Sequence, residues 1–206
     1  MPRPRSKSRD DLISSAMGVF WENGFNATSI EDLVVATSVS RGGIYADFGG
    51  KEDLFLACLE AYRARFANPA IHILASGSNG LESIEAYFDY FITLHEKRGM
   101  PGPGCFIAST MTELAPHNSE ALRIVNEHSS ELKSAFARSL TQAASTSRKQ
   151  IAKTEISEIA EFLVTSSQGL WSYGKSVSDI RVLKRFKMTL LGLLRFRLGL
   201  PAMGRK

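Results

Sequence analysis

Three places along the chain hold residues whose types and spacing could do chemistry. Cys105 follows Gly104 at the start of an apolar segment, where the free amides and dipole of a helix start would favour a thiolate. With His95 or His117 as base it could serve as an enzyme nucleophile, yet no third residue stands at a spacing that would orient the base. Ser40-Arg41-Gly42-Gly43-Ile44-Tyr45 sets a cation and a phenol among small residues, a composition suited to docking on a nucleic acid. Tyr87, Phe88, Phe91, Ile92 and His95 recur at helical spacing, as core or as the wall of a pocket. The two cysteines, Cys58 and Cys105, make no disulfide framework and fall short of a structural zinc site. No metal and no cofactor are expected.

Periodicity supplies the elements that must position these residues. Leu12, Ile13, Ala16, Met17 and Phe20 share one helical face, and Gly24 ends that helix. Thr28-Ser29-Ile30-Glu31 reads as a capping box opening a short helix to about Ala36. Ser40 caps a third helix, Arg41 to about Ala46, with Ile44 and Phe48 facing inward and Arg41, Gly43 and Tyr45 outward. Two short capped helices joined by a tight turn and braced by a preceding helix form a helix-turn-helix, whose second helix enters the major groove of DNA. Lys51 opens a fourth helix, which Asn68-Pro69 should stop. Further helices are expected over about Leu81 to Lys97, Cys105 to Leu114, and from Asn118 or Ser119 past Leu140. Thr141 to Ser147 reads as a polar connector, and two last helices run over about Thr154 to Tyr173 and Ser178 to Arg197. Strand alternation never takes over. The fold class is all-α with about nine helices, a helix-turn-helix domain over residues 1–50 and a helical domain over residues 51–206.

Composition bounds what such a fold can do. Over 206 residues, 44% hydrophobic and 22% charged is ordinary globular chemistry, and a net charge of +4 permits an anionic partner without suggesting a DNA wrapper. No apolar stretch approaches the length of a membrane span and nothing resembles a secretory signal, so a cytoplasmic protein without a membrane partner is expected.

Three separated elements carry a resemblance. They are Phe20-Trp-Glu-Asn-Gly24-Phe25 with Thr28-Ser-Ile30, then Val39-Ser40-Arg41-Gly42-Gly43-Ile44-Tyr45-Ala46-Asp47-Phe48, then Lys51-Glu52. Together they resemble the TetR family of transcriptional regulators over about the first 60 residues. Gly104-Cys105-Phe106 is similar to an element in a branch that contains thiol-based sensors. Ser38 replaces the common turn glycine, Gly43 the usual Thr or Ser, and Asp47 the usual His, Tyr or Asn.

The resemblance implies a homodimeric repressor that binds a palindromic double-stranded operator and is released by a small-molecule effector. DNA-contacting positions carry over to Thr28, Ser40, Arg41, Gly42, Gly43, Tyr45 and Lys51. Arg41 admits two readings, a bidentate guanine contact or a phosphate clamp. An effector pocket would draw on Phe88, Phe91, Ile92, His95, Cys105, Met111, Phe162 and Trp171, and the lack of a charged constellation favours an apolar or weakly polar ligand. A dimer seam would be built by Ile159, Leu163, Leu183, Phe186 and Leu190 on the last two helices. Cys105 is either a redox and electrophile sensor or a small packing residue. The basic arm Arg3, Arg5, Lys7 and Arg9 and the cations of the last helix, Arg181, Lys184, Arg185, Lys187, Arg195 and Arg197, are either further DNA contacts or solvated surface.

Overall fold

Helices α1 (Arg9–Asn23), α2 (Ile30–Thr37), α3 (Arg41–Phe48) and α4 (Lys51–Tyr62) open the chain in a computed structural model that describes residues 8–76 and 80–202. A single π-helical turn, Arg63–Ala67, leads directly into α5 (Asn68–Ser76). There follow α6 (Gly80–Arg98), α7 (Phe106–Glu113), α8 (Ser119–Ser145), α9 (Lys153–Tyr173) and α10 (Arg181–Arg197). Counting the run Lys51–Ser76 once gives nine helices and no strand among the described residues. No helix among them is long and apolar enough to cross a membrane.

Three boundaries depart from the sequence reading, each for a local reason. The capping box that opens α2 is Ser29 with Asp32, not Thr28 with Glu31: Asp32 N donates to Ser29 Oγ at 3.1 Å and Ser29 N to Asp32 Oδ2 at 2.8 Å. Thr28 is buried instead and gives its hydroxyl to Gly24 O at 2.7 Å. Asn68-Pro69 does not end the helical run: the π-helical turn Arg63–Ala67 comes immediately before it and shifts the hydrogen-bond register where the proline has no N–H to give. The connector expected from Thr141 begins only after Ser145, since Leu140 and Ala143 keep the buried face of α8 going.

Packing divides the chain into two compact units, each with its own core. One runs through Ala67 and takes in Cys105–Val125; the other comprises Asn68–Gly104 with the chain from Asn126 onward. In the first, Phe20, Phe55 and Phe106 pack edge to face, with ring centroids 5.0 and 4.9 Å apart. Leu12, Ala16, Leu33 and Ile44 are buried in the same unit. In the second, α10 lies on α6 through ion pairs: Lys187 Nζ is 2.7 Å from Asp89 and 3.2 Å from Glu85, and Lys184 Nζ is 2.6 Å from Glu96. Burial pulls the Lys187 ammonium down, but the two carboxylates more than offset it, so its pKa stands above the ordinary lysine value.

The turn between α2 and α3 keeps its shape without the glycine usual in similar sequences. Ser38 takes the left-handed conformation, φ 58° and ψ 24°, and its N–H closes α2 on Val34 O at 2.9 Å. A Cβ in that region is unfavourable, so Ser38→Gly should stabilise the fold by about 0.5–1 kcal/mol after allowing for the extra freedom of glycine in the unfolded chain. Urea unfolding of the two chains measures it; an unchanged or lower midpoint would mean the serine is not strained.

Candidate nucleic-acid interface and effector site

The outward face of α3 follows from what its inward face must bury. Ile44 and Phe48 are buried, which turns Arg41, Gly42, Tyr45 and Ala46 to the surface. The Ser40 hydroxyl accepts from Gly43 N at 3.2 Å and so fixes the first turn. Glycine at 43 has a packing reason: a Cβ there would stand 2.8 Å from Val39 Cγ1. Arg41 reaches back to Glu31 at 3.3 Å and lies over the Tyr45 ring at 5.7 Å from its centroid. Asp47 is exposed and makes no ion pair among the described residues, so it faces solvent.

Two further pieces border this face. Lys51, at the first position of α4, sets its ammonium 4.2 Å from the Phe25 ring centroid. Burial lowers its pKa, and the nearby Glu113 carboxylate works against that shift. Glu113, on α7, accepts Phe25 N at 2.7 Å and Asn26 N at 3.3 Å, tying down the turn between α1 and α2. Asn118 does a similar service at α4, donating to Glu52 while its Oδ1 caps α8 through Ala121 N at 2.7 Å. Sequence reasoning missed Glu113. Its signal in the sequence, a lone acid at the end of a short apolar helix, says nothing about a turn so far away in the chain.

Of the DNA-contacting residues expected, Ser40, Arg41, Gly42, Gly43, Tyr45 and Lys51 lie together at the start of α3 and α4. Thr28 departs from the expectation, since it is 1% exposed and its hydroxyl is already used. Ser29, and not Thr28, occupies the cap position of α2. Of the basic arm, Arg3, Arg5 and Lys7 lie outside the described residues, and Arg9 packs over the Phe48 ring at 4.5 Å. The cations of α10 are largely satisfied at home: Arg181 by Asp179 at 3.0 Å, Arg197 by Glu155 at 2.8 Å, and Lys184 and Lys187 by α6.

Residues 12–58 match the bacterial regulatory proteins of the tetR family, and residues 80–190 match the tetracyclin repressor-like C-terminal domain. The chain belongs to the TetR family of transcriptional regulators. It is 30% identical over 193 residues to the HTH-type transcriptional repressor ComR of Escherichia coli K12, covering 93% of this chain and 90% of that one. It is 26% identical over 169 residues to the HTH-type regulator YezE of Bacillus subtilis 168, covering 82% and 87%. Among solved structures, the TetR-family regulator CifR, complexed with a 26-base-pair operator, superposes with a TM-score of 0.78 at 23% identity, covering 92% of this chain and 98% of that one. This TetR-family protein is thus a DNA-binding transcriptional regulator and not an enzyme.

The residues expected to line an effector pocket in this regulator are only partly brought together. Phe88, Phe91 and His95 of α6 gather around Trp171 of α9, with ring centroids 5.9, 5.0 and 5.6 Å from the indole. Ile92 is buried on the same helix face. Phe162 is not part of this cluster: it lies 53% exposed on the opposite face of α9. Cys105 and Met111 belong to the other compact unit. Two buried nitrogens in the cluster, His95 Nε2 and Trp171 Nε1, have no hydrogen-bond partner among the described residues. His95 Nδ1 contacts Phe91 O at 2.9 Å, and a carbonyl only accepts, so that nitrogen carries the proton. Burial lowers the His95 pKa, which leaves a neutral ring with Nε2 as an acceptor beside the indole donor.

Cys105 stands at the N-cap of α7, as the sequence suggested, but buried. Burial pushes its thiol pKa up, against the pull of the Ala108 amide, the Tyr62 hydroxyl at 3.7 Å and the Ile107 amide. Its side-chain partner is that tyrosine rather than a histidine. The packing reading is the one this environment favours, and Cys58, also buried, shares it.

The assigned dimer residues need the largest correction. Leu163, Leu183 and Leu190 are buried within the chain, and Ile159 and Phe186 are half-buried. Leu163 falls in the inward row of α9 with Ile156, Ala160, Ser167 and Leu170. The apolar surface left outside is Phe162 and Tyr173 on α9 and Met188, Leu193 and Phe196 on α10, with Phe196 85% exposed.

Proposed function

We propose that this regulator is a ligand-responsive repressor that binds a palindromic operator as a homodimer and leaves it when a small molecule binds. Residues 1–50 carry DNA recognition and residues 51–206 effector binding and dimerisation, with the protein acting in the cytoplasm. The observation that carries the reading is the exposed start of α3, where burial of Ile44 and Phe48 turns Arg41 and Tyr45 outward beside Lys51. The outer face of α9 and α10 supports the dimer. Its large apolar side chains are exposed, and Gly169 and Gly192 stand in open space where a Cβ would meet nothing within 4 Å. The unpartnered His95 Nε2 and Trp171 Nε1 support an effector that both donates and accepts a hydrogen bond, such as a hydroxyl or a neutral acid, on an apolar body. To displace DNA, that effector must prefer the DNA-incompetent state.

Operator titrations across salt and base changes test the DNA half. Lys51→Ala and Tyr45→Ala should weaken specific and random DNA alike, and the lysine change should lower the salt slope by about one unit. Arg41→Ala should cost about 1–3 kcal/mol at one base pair and little elsewhere. A uniform loss for Arg41→Ala makes it a phosphate clamp, and unchanged binding in all three variants removes α3 from the interface.

A further inference from the structure

The turn from α8 to α9 encloses a feature that none of these roles uses. An open groove of about 810 Å3 there is lined by Ala137, Ala144, Ile151 and Ile156 and by three cations, Arg148, Lys149 and Lys153. No carboxylate among the described residues lines it. Lys149 is engaged, its Nζ 3.5 Å from Glu155 and 3.1 Å from Arg197 O. Arg148 and Lys153 are exposed and make no ion pair among the described residues.

The two helix ends that meet at this turn are finished differently. The carbonyl end of α8 is closed: Ala143 O accepts the Thr146 hydroxyl at 2.9 Å, and Ala144 O accepts Ser147 N at 3.0 Å. The amide end of α9 is open, because its N-cap is Ala152 and no side chain caps it. The first amides of that helix therefore point positive partial charge outward with no capping side chain among the described residues to receive it. Cationic side chains, an uncapped helix start and an apolar floor coincide in one cavity of ligand size.

We propose that this groove binds an amphipathic organic acid. Its carboxylate would sit at Arg148, Lys153 and the open amides of α9, and its hydrocarbon or aryl body would cover Ala137, Ala144, Ile151 and Ile156. A nucleic-acid backbone fits less well, since two free cations hold few phosphates and the apolar floor would stay uncovered. The site is separate from the His95 and Trp171 cluster and stands whether or not that cluster binds an effector.

The test uses the full chain and cis-parinaric acid below its micellar concentration, with the methyl ester as the uncharged control. Fluorescence titration should give saturable binding of about one acid per chain, with the ester about tenfold weaker or more. Arg148→Gln with Lys153→Gln should remove the preference for the acid over the ester. Ala144→Trp, which fills the floor, should abolish binding of both while the melting temperature and the sedimentation coefficient stay as in the parent. Equal binding of acid and ester by the parent chain, or undiminished binding by Ala144→Trp, overturns the proposal. If Ala144→Trp instead turns a dimer into monomers, the groove is a contact between subunits and the proposal fails.

Discussion

Phe162→Glu and Leu193→Glu are each expected to leave the chain folded and make it monomeric. Both side chains are more than half exposed, at 53% and 56%, so a carboxylate there stays in water in the separate chain. In an isologous seam each substitution acts twice, burying two unpaired charges against an apolar face. Operator affinity should then fall about 10²–10⁴-fold, since a monomer holds one half-site without the second. Leu163→Glu is the informative contrast. That position is fully buried, so the charge should unfold the chain rather than divide a dimer. Sedimentation at micromolar concentration with a circular-dichroism melt separates the cases. A Leu193→Glu chain that remains dimeric and binds DNA normally would place the seam elsewhere.

Glu113→Ala should have the next largest effect, although Glu113 lies on neither α2 nor α3. The substitution leaves the Phe25 and Asn26 amides without their acceptor and takes away the anion beside Lys51. Charge-assisted bonds at a partly buried site make the expected loss about 1–2 kcal/mol. DNA binding should weaken beyond that loss of stability, because the turn that sets the angle of α2 is released. Glu113→Gln should recover about half, as an amide oxygen still accepts but carries no charge. Urea unfolding followed by tryptophan fluorescence, with operator binding on the same samples, measures both parts. Equal stability of the Ala variant and the parent would show that the turn holds itself.

The local features of the DNA-binding face were legible in the sequence because they are set by residues a few positions apart. Ser40 as a cap, Ile44 and Phe48 facing inward and Lys51 opening α4 all follow from short spacing rules. The cap of α2 was misread by one residue because Thr28 and Ser29 are both good caps followed three residues later by an acid. The choice between them is made by the burial of Thr28. The faces of α9 were misassigned for a different reason. That helix carries apolar residues on both sides, and periodicity alone does not say which row meets the core and which is left for a partner. Phe162 and Leu163 are neighbours in sequence and opposite in fate.

The ring cluster at Trp171 was legible as a helical pattern, whereas its two orphaned nitrogens were not, because an unmade hydrogen bond is a property of three-dimensional surroundings. Glu113 was illegible because its partners are distant in the chain, and no periodicity encodes that pairing.

The compact unit that holds the helix-turn-helix is assembled from two stretches of chain, the first ending at Ala67 and the second being Cys105–Val125. Phe106 packs edge to face on Phe55, and Glu113 holds the turn before α2, so the later stretch completes what the earlier one begins. Consider a hybrid in which the reading head of this regulator is grafted onto the sensing body of another by a single cut just after α3. In this protein that cut would leave the transplanted head facing a foreign α4 and α7, with the Phe20 ring and the Phe25 amide matched to residues they never met. The portable cassette is discontinuous, and a working hybrid would carry both stretches across together.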